Sequence, residues 1–212
     1  MLCGARGIIR STAASPRLQG VLADPQIIRP IDDEYVQPLI EARINAFAIN
    51  NEATPPVDST GFGHLYRVGN KNLRNAMKFS EDFVIWAAQH DLANSSPSEN
   101  FKLLESWMAE IADQHLADAS SVGNRAWKVF DRLIEIGGST SPSDFAEFGF
   151  ESLPAMRRHL RDLEESNLIE SAIDETDNRR KTISVTSAGW IVNYSRSGFE
   201  KLGQTTSNAQ QS

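Results

Sequence analysis

Two periodicities meet in the stretch from Leu153 to Trp190, and together they leave few folds open. Leu153, Met156, Leu160 and Leu163 are spaced three, four and three apart, the stripe of a helix that buries one side. Leu168 to Ala172 then reads as a strand, and Asp174-Glu175-Thr176-Asp177-Asn178 supplies turn residues. Arg179-Arg180-Lys181 leads into a return strand in which Ile183 and Val185 alternate with Thr182 and Ser184. Thr186 is placed to cap a closing helix at Ser187-Ala188-Gly189-Trp190. The fold class that follows is mainly α with a small β-wing.

Upstream, Ala126, Val129, Phe130, Leu133 and Ile136 mark a helix starting near Arg125 that stops at Gly137-Gly138. Ser141-Pro142-Ser143-Asp144 is a strong helix start, with a hydroxyl cap, a proline in the first turn and an acid three residues on. That short helix ends near Gly149. Ser152 can cap the next helix, whose buried stripe forces Arg157, Arg158 and Arg161 out of the core. Arg157 and Arg161 are four apart and share a face, with Arg158 close beside them. Glu164 and Glu165 follow a turn later, so the helix is basic toward its start and acidic toward its end.

Arginines on an exposed helix usually form a solvated face, and a charged hairpin tip is usually a soluble turn. Here the two clusters occur in the order of a winged helix-turn-helix, which favours DNA contact. The segment from roughly Ala126 to Val192 resembles the winged-helix domain of the MarR-type regulators. Their wing pattern, an acidic turn, Asp-x-Arg-Arg, a strand and Thr-x-x-Gly, is matched by Asp177-Asn178-Arg179-Arg180 and Thr186-Ser187-Ala188-Gly189. The resemblance implies a transcriptional regulator that reads double-stranded DNA with helix 152–166 and wing 173–182. It also implies that Arg180, or Arg179, enters the minor groove. The expected DNA-contacting set is Ser152, Arg157, Arg158, Arg161, Arg179, Arg180 and Lys181. A homodimer reading half-sites about 34 Å apart is the usual arrangement.

The chain has 212 residues and a formal net charge of −7, so its surface as a whole does not attract nucleic acid. Any DNA contact must come from a local basic patch. Hydrophobic and charged contents of 40% and 23% are those of an ordinary globular protein.

The N-terminal half reads as helical. Gln26-Ile27-Ile28-Arg29 is a short strand-like piece closed by Pro30. Asp32 and Asp33 precede a helix in which Val36, Leu39, Ile40, Ile44 and Phe47 recur, with Pro38 able to delay its start. Asn50 to Gly63, with two prolines and two glycines, reads as a loop, and Gly61-Phe62-Gly63 as a hinge within it. A turn or two of helix covers His64 to Val68 before Gly69-Asn70. A further helix carries Leu73, Ala76, Met77, Phe79, Phe83, Val84 and Trp86 on its apolar side. Asp91 to Asn100 reads as a linker, and Phe101, Leu104, Trp107, Met108 and Ile111 as a connecting helix. Trp86 and Trp107 are candidates for packing the halves together or for a subunit interface.

From Ile27 through the stretch GHLYRVGNKNLRNAMKFSEDFVIWA, this half resembles the end and helical lid of an AAA+ ATPase of the origin-recognition kind. By that resemblance Arg17 stands where a trans-acting arginine is found, and Arg74 lies near the lid sensor. Surface charge is the simpler reading of both. No G-x-x-x-x-G-K-[ST] stretch exists, so the chain has no loop to cradle phosphates and is not expected to hydrolyse ATP alone. An ATPase partner is the alternative expectation, with the chain a non-catalytic interaction module.

The expected organisation is a lid-like helical domain with a short strand over 1–95, a connector over 96–120, a winged helix over 121–202 and a disordered tail over 203–212. His64, His90, His115 and His159 lack metal-ligand spacing, and neither a nucleophile elbow nor a dinucleotide fingerprint is present. No enzyme activity, cofactor or metal is expected. Cys3 alone forms no internal disulfide framework, and no apolar run reaches the ~20 residues of a membrane span. The basic, Ser- and Ala-rich start has the composition of a transit peptide. A cytoplasmic bacterial or archaeal protein is nevertheless the better-supported reading.

Overall fold

The computed structural model describes residues 29–48, 54–92, 96–173 and 181–197. The expectations for Cys3, Arg17, the strand at Gln26 to Ile28, the wing tip with Arg179 and Arg180, and the tail lie outside them.

Among the described residues, four helices build the N-terminal half: α1 (Asp33–Phe47), α2 (Ser59–Val68), α3 (Leu73–Gln89) and α4 (Pro97–Asp118). α1 begins at Asp33 despite Pro38, which lies inside it; Asp33 and Glu34 occupy its first turn, where the dipole favours acids. The expected helical spacing is borne out, but of its apolar set only Val36 and Ile40 are buried, while Leu39 and Phe47 are exposed. The expected loop through Gly63 is also corrected. Asp58 caps α2 by accepting from Gly61 N at 2.7 Å, so Ser59 to Gly63 are helical. Gly61 is buried within α2 and faces α4, where a Cβ would meet Leu104 Cδ2 at an ordinary contact distance of 3.4 Å. A glycine that reads as part of a hinge thus lies inside a helix.

On α3, Ala76, Phe79, Phe83 and Ala87 are buried, whereas Met77 and Val84 are exposed. The expected linker is shorter than its composition suggests. Ser96 and Glu99 form a capping box and start α4 at Pro97. Leu104, Trp107, Met108 and Ala112 of α4 join the core made by α1–α3. Trp86 and Trp107 both flank Phe83, at 5.8 and 5.6 Å between ring centroids, so they pack within this core.

A 3-10 turn (Ala119–Ser121) leads to α5 (Asn124–Glu135), which ends at Gly137 and Gly138, both at positive φ. A two-residue strand β1 (Ser139–Thr140) follows, and then a 3-10 helix (Pro142–Phe148). Nothing in the sequence marks β1, and the short helix is 3-10 rather than α. Its capping box of Ser141 and Asp144 and its left-handed stop at Gly149 follow the sequence signals. Next come α6 (Leu153–Glu165), β2 (Ile169–Ile173), β3 (Lys181–Val185) and α7 (Ser187–Ser197). The sheet is antiparallel in the order β1-β3-β2.

This second core gathers Ala126, Phe130 and Leu133 from α5 with Met156 and Leu163 from α6 and Ile183 from β3. α7 closes both cores: Trp190 and Val192 face this one, and Ile191 faces that of α1–α4. Arg196 pins the end of α7 to α5, reaching Asp131 at 2.7 Å and covering the Trp127 ring at 4.3 Å. Among the described residues, no helix is long and apolar enough to cross a membrane, and no group of three or more His, Cys, Asp or Glu side chains forms a metal site.

Candidate nucleic-acid interface

α6 is amphipathic, and its two sides do different work. Met156, Leu160 and Leu163 are buried and Leu153 half-buried; each fully buried apolar side chain contributes about 1.5–3 kcal/mol. The opposite side carries Arg157, Arg158 and Arg161, all exposed. Among the described residues none of the three has a side-chain hydrogen bond or ion pair, although Asp162 lies four positions from Arg158. Like charges three and four apart on a helix repel by a few tenths of a kcal/mol per pair. An arriving anion relieves that repulsion.

Ser152 occupies the N-cap position and is exposed, but its side chain makes no cap hydrogen bond, which corrects its expected role. Pro154 in the first turn has no N–H to satisfy, and Met156 N reaches Ser152 O only at 3.4 Å. The start of α6 therefore keeps backbone donors and the Ser152 hydroxyl available to an outside acceptor.

At the other end of α6, Asn167 adopts a left-handed φ of 54°, and Leu168 N closes back on Leu163 O at 3.0 Å. This tight stop directs the chain into β2 one residue later than the sequence suggests. Glu164 accepts from the Ser171 hydroxyl, tying the acidic end of α6 to the wing. β2 and β3 pair from Ile169 with Val185 to Ile173 with Lys181. Lys181 is thus at the tip end of the ribbon, and it is exposed. Arg179 and Arg180 precede it outside the described residues.

The Thr-x-x-Gly pattern has a local physical cause. Thr186 Oγ1 accepts from Gly189 N at 3.0 Å, capping α7, and donates to Asn167 O at 2.6 Å. One hydroxyl thereby joins the start of α7 to the end of α6. Gly189 packs against the Leu168 carbonyl and Val185 so closely that a Cβ would overlap both.

Sequence reasoning passes over one cation beside this site. The Arg125 guanidinium lies 4.9 Å from the Phe150 ring centroid, and that ring lies 5.5 Å from His159 on α6. Only tertiary packing brings Arg125 and Phe150 to α6, so no spacing in the sequence signals it.

Three helical segments followed by an antiparallel ribbon, with the third helix exposing its basic side, define a winged helix-turn-helix. No protein-family model matches the chain, and no curated protein does. Among solved structures, the chain is similar to the S. aureus MepR–DNA complex, with 28% identity over 51% of this chain and 89% of that one and a TM-score of 0.33. A second is a MepR point mutant from a multidrug-resistant S. aureus clinical isolate, at 25% identity, 54% and 84% coverage and a TM-score of 0.32.

Proposed function

We propose that the chain is a DNA-binding regulator of the MarR-like kind, acting by binding rather than by catalysis. The carrying observation is the solvent face of α6, where Arg157, Arg158 and Arg161 stand together without a carboxylate partner among the described residues. In this reading α6 lies in the major groove. Arg158 and Arg161 meet base edges, and Ser152 with the first backbone donors of α6 holds a phosphate. Lys181, with Arg179 and Arg180 ahead of it, carries the wing's charge to the backbone or minor groove. A net charge of −7 makes a single module a weak binder, so two copies on paired half-sites suit the electrostatics.

The test is the salt dependence of duplex binding. Arg180→Ala and Lys181→Ala each weaken binding to all sequences and lower the slope of log K against log salt by about one. An unchanged slope in both variants contradicts this placement of the wing.

One observation favours a second reading, a protein-docking role for the N-terminal half. Among the described residues the large apolar side chains that stand exposed, Tyr35, Leu39, Phe47, Met77, Val84 and Ile85, all lie on α1 and α3. Co-purification with an ATP-binding partner, together with no affinity for duplex DNA at low salt, would favour it over DNA reading.

A further inference from the structure

The outer face of the wing sheet is one wall of a cleft of about 530 Å³ that the DNA-reading surface does not use. Its central rung runs across all three strands: Ser139 on β1 pairs with Ser184 on β3, which pairs with Glu170 on β2. The Ser139 and Ser184 hydroxyl oxygens lie 3.4 Å apart. The facing wall is the turn between α2 and α3, with Asn72, and the first turn of α3, with Arg74; Trp190 also lines the cleft.

The separation of the walls is built in. Asn70 and Lys71 take successive left-handed conformations, at φ 56° and 55°, and Asn70 Nδ2 donates to Gly137 O at 3.1 Å. Lys71 is engaged by Asp33 at 3.1 Å. Arg74 and Glu170 have no such engagement. Both are exposed, both line the cleft, and among the described residues neither has an ion-pair partner, each other included. A cation and a carboxylate that line one cleft without pairing fit a small molecule carrying both complementary charges.

We propose that this cleft binds a small zwitterion of the α-amino-acid class. Its carboxylate meets Arg74, where the guanidinium fork offers two parallel donors. Its ammonium meets Glu170, and the Ser139 and Ser184 hydroxyls take the remaining polar atoms. A bound molecule bridges the N-terminal bundle and the base of the wing. The site stands whether or not α6 reads DNA.

The experiment uses the full chain without DNA, titrated with the common L-amino acids one at a time at millimolar concentration. Thermal shift and calorimetry are the readouts. At least one amino acid raises the melting temperature and gives saturable heat. Its deaminated acid and its decarboxylated amine each bind about tenfold more weakly or less. Arg74→Gln and Glu170→Gln abolish the response while keeping the circular dichroism spectrum and melting point of the unliganded protein. Lys128→Ala, on α5 outside the cleft, leaves it unchanged. The proposal is overturned if no amino acid binds, or if binding persists in both cleft variants. Because DNA is absent, either outcome leaves the reading of α6 untouched.

Discussion

At the scale of single residues, His64 shows how position rewrites chemistry. It is 2% exposed, with its ring edge-on to Phe101 of α4 at 5.2 Å and to Tyr194 of α7 at 5.5 Å. Burial pushes its pKa down from 6.5 to about 4, and the Arg67 guanidinium one turn away adds to the fall. The folded state thus binds this proton less readily than the unfolded chain does. The stability His64 contributes is complete above pH 6.5 and is lost as pH falls toward 4. Melting temperatures measured across that window should decline more steeply in the natural protein than in His64→Leu. Parallel curves would mean that the imidazole is protonated at the same pH in both states. Arg157, Arg158 and Arg161 are the opposite case, exposed and available. Arg158→Ala or Arg161→Ala should change preference among duplex sequences by about 1–3 kcal/mol at a contacted base, read by competition binding. A uniform loss across all sequences would make them phosphate contacts instead.

At the scale of elements, the two caps around α6 and α7 give contrasting expectations. Thr186 both caps α7 and holds the end of α6, so Thr186→Ala should cost about 1–2 kcal/mol in denaturant unfolding. Ser152 makes no cap bond, so Ser152→Ala should leave stability within about 0.5 kcal/mol while weakening DNA binding. A Ser152→Ala protein as destabilised as Thr186→Ala would refute the open start of α6. The contrast also shows what the sequence reveals. α6, the β2–β3 ribbon and the Thr186 cap were legible because stripe, alternation and cap residue agree within a short span. β1 was not, since two residues carry no alternation and Ser139 and Thr140 owe their strand to pairing with Ser184 and Ile183. The start of α2 was obscured by Gly61 and Gly63, although Asp58 before Ser59 and Thr60 is the cap that starts it. Helical spacing placed Leu39, Met77 and Val84 on apolar faces but not inside, because burial depends on which neighbours arrive.

At the scale of the whole molecule, two hydrophobic cores share structural members. α4 buries Leu104, Trp107 and Met108 in the N-terminal core, and Ala119 just beyond it belongs to the other; α7 supplies Ile191 to one and Trp190 to the other. Neither half is closed without these helices. Phe83→Ala, deep in the N-terminal core, should therefore cost about 3–5 kcal/mol and also weaken hydrogen-exchange protection in α5 and α6. Unchanged protection there would mean that the halves unfold separately. The contributions to the interface were less legible at this scale. Arg125 and Phe150 reach α6 only through packing, and the arginines of α6 stay unpaired only because no carboxylate among the described residues folds back to meet them.

Selection from random duplex DNA, with the purified full chain and the variant Arg157→Ala/Arg158→Ala/Arg161→Ala run side by side, bears most directly on the role of α6. The natural protein should enrich a defined motif, and the variant, folded by circular dichroism, should recover none. Enrichment of the same motif by both proteins, or of no motif by either at low salt, would contradict it.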